Sequence, residues 1–135
     1  MTRRILVVDD EQAIRSTMER LLRAIGYEVV TVAEPMDAYE LLDAGGFDLV
    51  LLDINMPGMS GDALFVALIR RSPQLASRVL LMSGDPGAVK GEWPEELRAC
   101  PFLSKPFELN LLARLVAGAI AAADEAGPSR KRNGG

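Results

Sequence analysis

Four places in this chain of 135 residues put a reactive side chain at the end of an apolar run. "ILVV" leads into Asp9-Asp10-Glu11, "LVLL" into Asp53, "VLLM" into Ser83 and "FLS" into Lys105. Carboxylates brought together repel, and without compensation at least one pKa must rise. A divalent cation relieves that repulsion. Mg²⁺ takes oxygen ligands, keeps several waters and binds one or two carboxylates together with phosphate oxygens. Asp53 would then keep an oxygen able to attack phosphorus, since aspartate serves as a covalent phosphoryl acceptor. Such a transfer needs alignment and positive charge on the equatorial oxygens. The cation and Lys105 would supply the charge, and Ser83 a hydrogen bond.

For these residues to meet, the apolar runs must be neighbouring strands. The runs Ile5–Val8, Glu28–Ala33, Leu49–Leu52, Arg78–Met82 and Pro101–Leu103 are short and apolar. Between the first two, Ile14, Met18, Leu21, Leu22 and Ile25 fall at helical spacing, with Gly26 as a stop. Ala38, Leu41 and Leu42 form a second stripe before Gly45-Gly46, and Ala63, Leu64, Ala67 and Leu68 a third before Pro73. Phe107, Leu111, Leu112, Leu115, Val116, Ala119 and Ile120 form the last and longest. This alternation predicts an α/β fold with a parallel sheet and helices on both faces. Strands so nearly continuous in apolar residues are buried on both sides. In such sheets, ligands bind beyond the carboxyl ends of the strands, where the strand order reverses.

The fourth helix is the exception. Residues 83–99 carry Pro86, Gly87, Gly91 and Pro94. In a helix interior glycine costs about 1 kcal/mol and proline about 3 kcal/mol. A loop followed by a short helix with Pro94 near its first turn is expected. The end of the chain, residues 125–135, lacks periodicity and reads as a disordered tail after a domain spanning 1–124.

Composition excludes several functions. There is no histidine, so Ser-His-Asp hydrolysis, His-ligated zinc and phosphohistidine chemistry cannot come from this chain alone. The net charge of −4 argues against direct nucleic-acid binding. No stretch approaches the roughly 20 apolar residues of a membrane span, and Ile5–Val8 is too short for a signal peptide core of about 7–15 residues. Cys100 is the one cysteine. It reads as an inert small hydrophobe in a chain expected to be cytoplasmic.

The blocks "ILVVDDE", "LVLLDINMPGMSG", "VLLMSG" and "FLSKPF", in that order, resemble the receiver domains of two-component response regulators, the single-domain chemotaxis-regulator type included. The resemblance spans roughly residues 3–122, and the ordered set is far more specific than any one block. It implies a flavodoxin-like (βα)5 doubly wound fold with strand order 2-1-3-4-5. It implies that Asp53 is the phosphoacceptor, served by a sensor histidine kinase or a histidine phosphotransfer protein. Asp9, Asp10 and Asp53 would hold Mg²⁺ (or Mn²⁺) together with the backbone carbonyl of Asn55. Ser83 matches the switch hydroxyl, Phe102 the switch aromatic and Lys105 the lysine of the site. The Lys105–Pro106 bond would be cis. Asn55 and Asp85 match positions that tune phosphate lifetime. The face of helix 4, strand 5 and helix 5 would signal to a downstream protein, the chain being a monomer or a phosphorylation-dependent dimer. Phe102 lacks the phenolic hydroxyl of many receivers, so its part would rest on ring burial.

Plainer readings apply to single residues. Asp9-Asp10 also suits a helix cap, Met56 and Met59 loop packing, and Trp93 core cover rather than a binding anchor. Arg130-Lys131-Arg132 suits a solvated tail. Two other functions compete. An aspartate-dependent phosphohydrolase of the haloacid dehalogenase type is expected to carry a second aspartate two positions on, where this chain has Asn55. A phosphate-independent interaction module is expected to lose site residues, and none is lost. A phosphate sink, or a receiver piece of a hybrid kinase, uses the same chemistry. The first strand so close to Met1 is expected at a natural N-terminus, and the tail is too short for an output domain.

Overall fold

The computed structural model describes residues 2–54, 61–71, 73–84 and 100–125. In chain order these form β1 (Arg4–Val8), α1 (Gln12–Ala24), β2 (Glu28–Val32), α2 (Pro35–Ala44), β3 (Leu49–Asp53), α3 (Gly61–Arg71), a 3-10 turn (Pro73–Arg78), β4 (Val79–Ser83), β5 (Phe102–Ser104) and a C-terminal helix (Leu109–Glu125). The strands make one parallel sheet in the order β2-β1-β3-β4-β5. From β1 the chain goes first to one side and then to the other. The reversal therefore lies between β1 and β3.

The period of two along each strand divides the core into two layers. Leu6, Val8, Val50, Leu52, Val79 and Leu81 face one side, where Ala38 and Leu42 of α2 and Leu68 of α3 close over them. Ile5, Val7, Leu49, Leu51, Leu80, Met82 and Leu103 face the other. There they meet Met18 and Leu22 of α1 and Leu112, Val116 and Ile120 of the C-terminal helix. Both helical sets repeat at four residues, which places them on one helix face. Every residue of β3 and β4 is buried, as central strands covered by helices on both sides must be.

Helix ends follow the sequence signals. After α1, Gly26 takes φ +107°, a region L side chains rarely adopt. Its amide donates to Arg23 O at 3.0 Å. α3 stops at Arg71, ahead of Pro73. Each strand differs from its apolar run by one residue at one or both ends. Arg78, read as the start of the fourth strand, closes the 3-10 turn, because its buried guanidinium donates to Asp48 O at 3.1 Å. The C-terminal helix runs through Glu125, one residue beyond the expected domain limit. The fourth helix expected over 84–98, with Pro94 and Trp93, lies outside the described residues apart from Gly84, as do Met56, Met59 and residues 126–135. No helix among the described residues is long and apolar enough to cross a membrane.

Candidate functional site

The sheet's register brings the strand-end residues together. β1 and β3 are adjacent, with Val8 opposite Leu52, so Asp9 and Asp53 follow matched positions. Asp53 is paired with Met82 and Ser83 with Ser104. Two bonds continue the ladder past the strands: Ile54 N donates to Met82 O at 3.1 Å, and Lys105 N to Ser83 O at 2.8 Å. The alternation that puts Ile5 and Val7, Leu49 and Leu51, and Leu103 on one face carries Asp9, Asp53 and Lys105 toward that face. All three converge.

Lys105 Nζ lies 2.8 Å from Asp9 Oδ2, 3.2 Å from Asp53 Oδ2 and 3.2 Å from Glu11 Oε1. Asp9 and Asp53 are buried. Oxygens of Asp9, Asp10 and Asp53 all fall within 4.8 Å of one another, with Asp10 exposed. The backbone fixes Asp9 closely. Its Oδ1 accepts the Glu11 amide at 2.9 Å, its carbonyl accepts Arg15 Nη1 at 2.8 Å, and its amide donates to Val32 O at 3.2 Å. Asp9 Oδ2 meets the charge of Lys105 but makes no hydrogen bond.

Burial raises the Asp9 pKa, and the neighbouring Asp53 charge adds to this. Lys105 and the Glu11 amide only partly offset it. Burial also works against the charge of Lys105. The close Asp9 carboxylate, the charge of Asp53 and the hydrogen bond that Lys105 donates to Asp53 outweigh it, so the ammonium is held above its ordinary range. The lysine is thus the fixed cation of a site whose carboxylates exceed what one ammonium can neutralise.

Residues 5–117 match the family described as the response regulator receiver domain. The chain belongs to that family. The response regulator protein FleR of Pseudomonas aeruginosa is 34% identical over 132 residues, covering 95% of this chain and 28% of the relative. Among solved structures, Vibrio cholerae chemotaxis protein CheY4 superposes with a TM-score of 0.75 at 26% identity, covering 88% of this chain and 99% of the other. Response regulator TrrA of Thermotoga maritima, solved in complex with Mg²⁺-BeF, gives 0.76 at 28% identity, covering 87% and 99%. The chain spans about a quarter of the length of FleR and of the curated nitrogen regulators NtrC that it also matches.

Within this receiver fold, the expected residues take definite places. Ser83 is buried at the end of β4, two positions after Leu81. Phe102 is paired with Leu81 and packs, partly buried, against the layer under α2 and α3. The Lys105–Pro106 bond is cis. Asn55 and Asp85 lie outside the described residues. The helix-cap reading of Asp9-Asp10 does not hold, because α1 is preceded by Glu11 as its cap residue and no side chain bonds there. Asp9 spends its Oδ1 on the Glu11 amide instead, two residues on, a local turn that Asp readily makes. Two contributors were not assigned from sequence: Glu11 as a partner of Lys105, and Arg15 as a clamp on the Asp9 carbonyl. Their spacing of four, from the cap of α1 into its first turn, was the available signal. Cys100 is half-buried, with Sγ 3.8 Å from Ala76 O, and burial pushes its thiol up to about 11. That suits the inert role.

Proposed function

We propose that this receiver accepts a phosphoryl group on Asp53 from a histidine kinase or histidine phosphotransfer protein and presents the result to a protein partner. The reading rests on the cluster of buried Asp9 and Asp53 with partly buried Lys105 at the point where strand order reverses. A carboxylate oxygen of Asp53 attacks phosphorus, the bond from phosphorus to the donor's imidazole nitrogen breaks, and the imidazole leaves with the electron pair. The product is an acyl phosphate on Asp53. Water later breaks that P–O bond and restores the carboxylate.

The acid cluster fits Mg²⁺ or Mn²⁺. Asp9 Oδ2 is a buried oxygen without a hydrogen bond, and oxygens of three aspartates lie within reach of one ion. Asp9, Asp10 and Asp53 would hold it, with the Asn55 carbonyl as the fourth protein ligand. The ion would neutralise the charge gathered on the phosphoryl oxygens. Lys105 holds a second positive charge beside Asp53. Ser83, buried at the end of β4, and Phe102, partly buried on β5, would serve as the switch: the Ser83 hydroxyl would move to a phosphoryl oxygen, and Phe102 would repack in response. The face formed with β5 and the C-terminal helix carries the change outward. Phosphorylation must favour the active state by about 5.5 kcal/mol to move its share from 1% to 99%.

The test is phosphoryl transfer from a panel of histidine kinases carrying radiolabelled phosphohistidine. Label should pass to this chain when Mg²⁺ is present and fail to pass to Asp53→Asn. Transfer that persists in Asp53→Asn would remove Asp53 from the role. No transfer from any kinase would favour the phosphate-independent module.

A further inference from the structure

Glu11 occupies the cap position of α1 with extended backbone, φ −89° and ψ 118°, yet its side chain makes no cap bond. Cap residues ordinarily turn their oxygen to the first amides of the helix. Glu11 instead sends its carboxylate across to Lys105 Nζ at 3.2 Å, 94 positions away in the chain. Its backbone is fixed on both sides. The amide is held by Asp9 Oδ1 at 2.9 Å, and the carbonyl accepts the Arg15 amide at 3.1 Å. Lys105 therefore has two kinds of partner. Asp9 and Asp53 are buried beneath it, and Glu11 is an outer partner whose side chain is 61% exposed.

We propose that Glu11 is a positioning residue for Lys105, an outer anchor that keeps the ammonium at the mouth of the site when a divalent cation takes the inner oxygens. Asp9 Oδ2 is the nearest oxygen to Lys105 and is also the buried atom best suited to a metal ion. An ammonium and a dication cannot both occupy it. Lacking Glu11, Lys105 would stay on Asp9 and Asp53 and oppose the ion, or swing into water and leave the phosphoryl group without its charge. Holding Glu11, it gives up Asp9 while staying beside Asp53. The inference deepens the proposed reading and rests on it for the identity of the cation.

The experiment is a Mg²⁺ titration without any phosphodonor, followed by the amide NMR shifts of Asp9, Asp10 and Ile54. It uses the full chain and three variants: Glu11→Gln, Lys105→Met and the double variant. Glu11 is exposed and makes no side-chain cap bond, so Glu11→Gln keeps the fold. The expected result is several-fold weaker Mg²⁺ binding in Glu11→Gln. With Lys105→Met as background the loss should be about two- to fivefold smaller, the scale of a partly exposed ion pair. A carboxylate acting only by its charge would give the same fold-loss in both backgrounds, and that result overturns the inference. So does an unchanged affinity in Glu11→Gln. Failure of the unmodified chain to bind Mg²⁺ overturns the inference and the metal-assisted reading together, which separates the two failures.

Discussion

At the scale of single residues, the charge of Asp9 is held at a cost. Its folded pKa is raised, chiefly by burial. A raised carboxyl pKa contributes stability fully below the ordinary value of 3.8, and that contribution is lost as pH climbs through the raised value. The ionised form of Asp9 is therefore disfavoured in the metal-free fold. Asp9→Asn keeps an oxygen for the Glu11 amide and removes the charge. We predict that it raises the metal-free Tm at pH 7 by a few degrees, a gain on the order of 1 kcal/mol. The gain should shrink as pH falls toward 4, and added Mg²⁺ should no longer stabilise the variant. Thermal unfolding from pH 4 to 8, with and without Mg²⁺, checks this, and a lower Tm for Asp9→Asn at pH 7 without metal would contradict it. The types of Asp9, Asp53 and Lys105 were legible in the sequence because each follows an apolar run, where a charge needs a reason. Glu11 was not. A carboxylate just ahead of a helix reads as an ordinary cap, and only the tertiary approach of Lys105 shows otherwise.

At the scale of elements, the precision of the site comes from β3. Leu49 and Leu51 pack on the layer beneath α1 and the C-terminal helix, while Val50 and Leu52 pack on the other. Locked on both faces, the strand cannot slip without turning every side chain over. Leu51 is fully buried. Leu51→Ala should cost about 2–5 kcal/mol of stability, read from urea unfolding, and loosen the placement of Asp53 as well. A loss under about 1 kcal/mol would mean that the strand is not the rigid support described. The strands could be read from apolar runs alternating with helical stripes, whereas their order came only from the resemblance to receiver domains. The boundary at β4 could not, because a lone arginine ahead of a strand gives no sign of burial. Arg78 is buried through its bond to the Asp48 carbonyl, a contact made across 30 positions of chain.

At the scale of the whole molecule, the two ends of the sheet do different work. The carboxyl end gathers the acid site. The amino end is closed by an ionic network that the sequence reading did not assign. Buried Asp48 accepts the Arg4 amide at 2.8 Å and Arg3 Nη1 at 3.3 Å. Arg3 and Arg78 both reach Asp124 on the C-terminal helix, at 2.6 Å and 3.6 Å. The start of the chain and the last helix are thereby tied to the base of β3. Asp48→Ala strips acceptors from partly buried donors and should cost about 1–3 kcal/mol. Asp124 is 37% exposed, so Asp124→Ala should cost less than about 1 kcal/mol. Chemical unfolding of the two variants side by side checks the order, and a larger loss for Asp124→Ala would reverse the account of this pole.

Intact-protein mass shows whether Asp53 is the phosphoryl acceptor of a metal-assisted site. The chain is incubated with acetyl phosphate and Mg²⁺, beside a chelator control and Asp53→Asn. The expected result is a labile gain of one phosphoryl group, about 80 Da for an acyl phosphate, absent from both controls. A gain of the same size in Asp53→Asn, or one indifferent to the chelator, would contradict it.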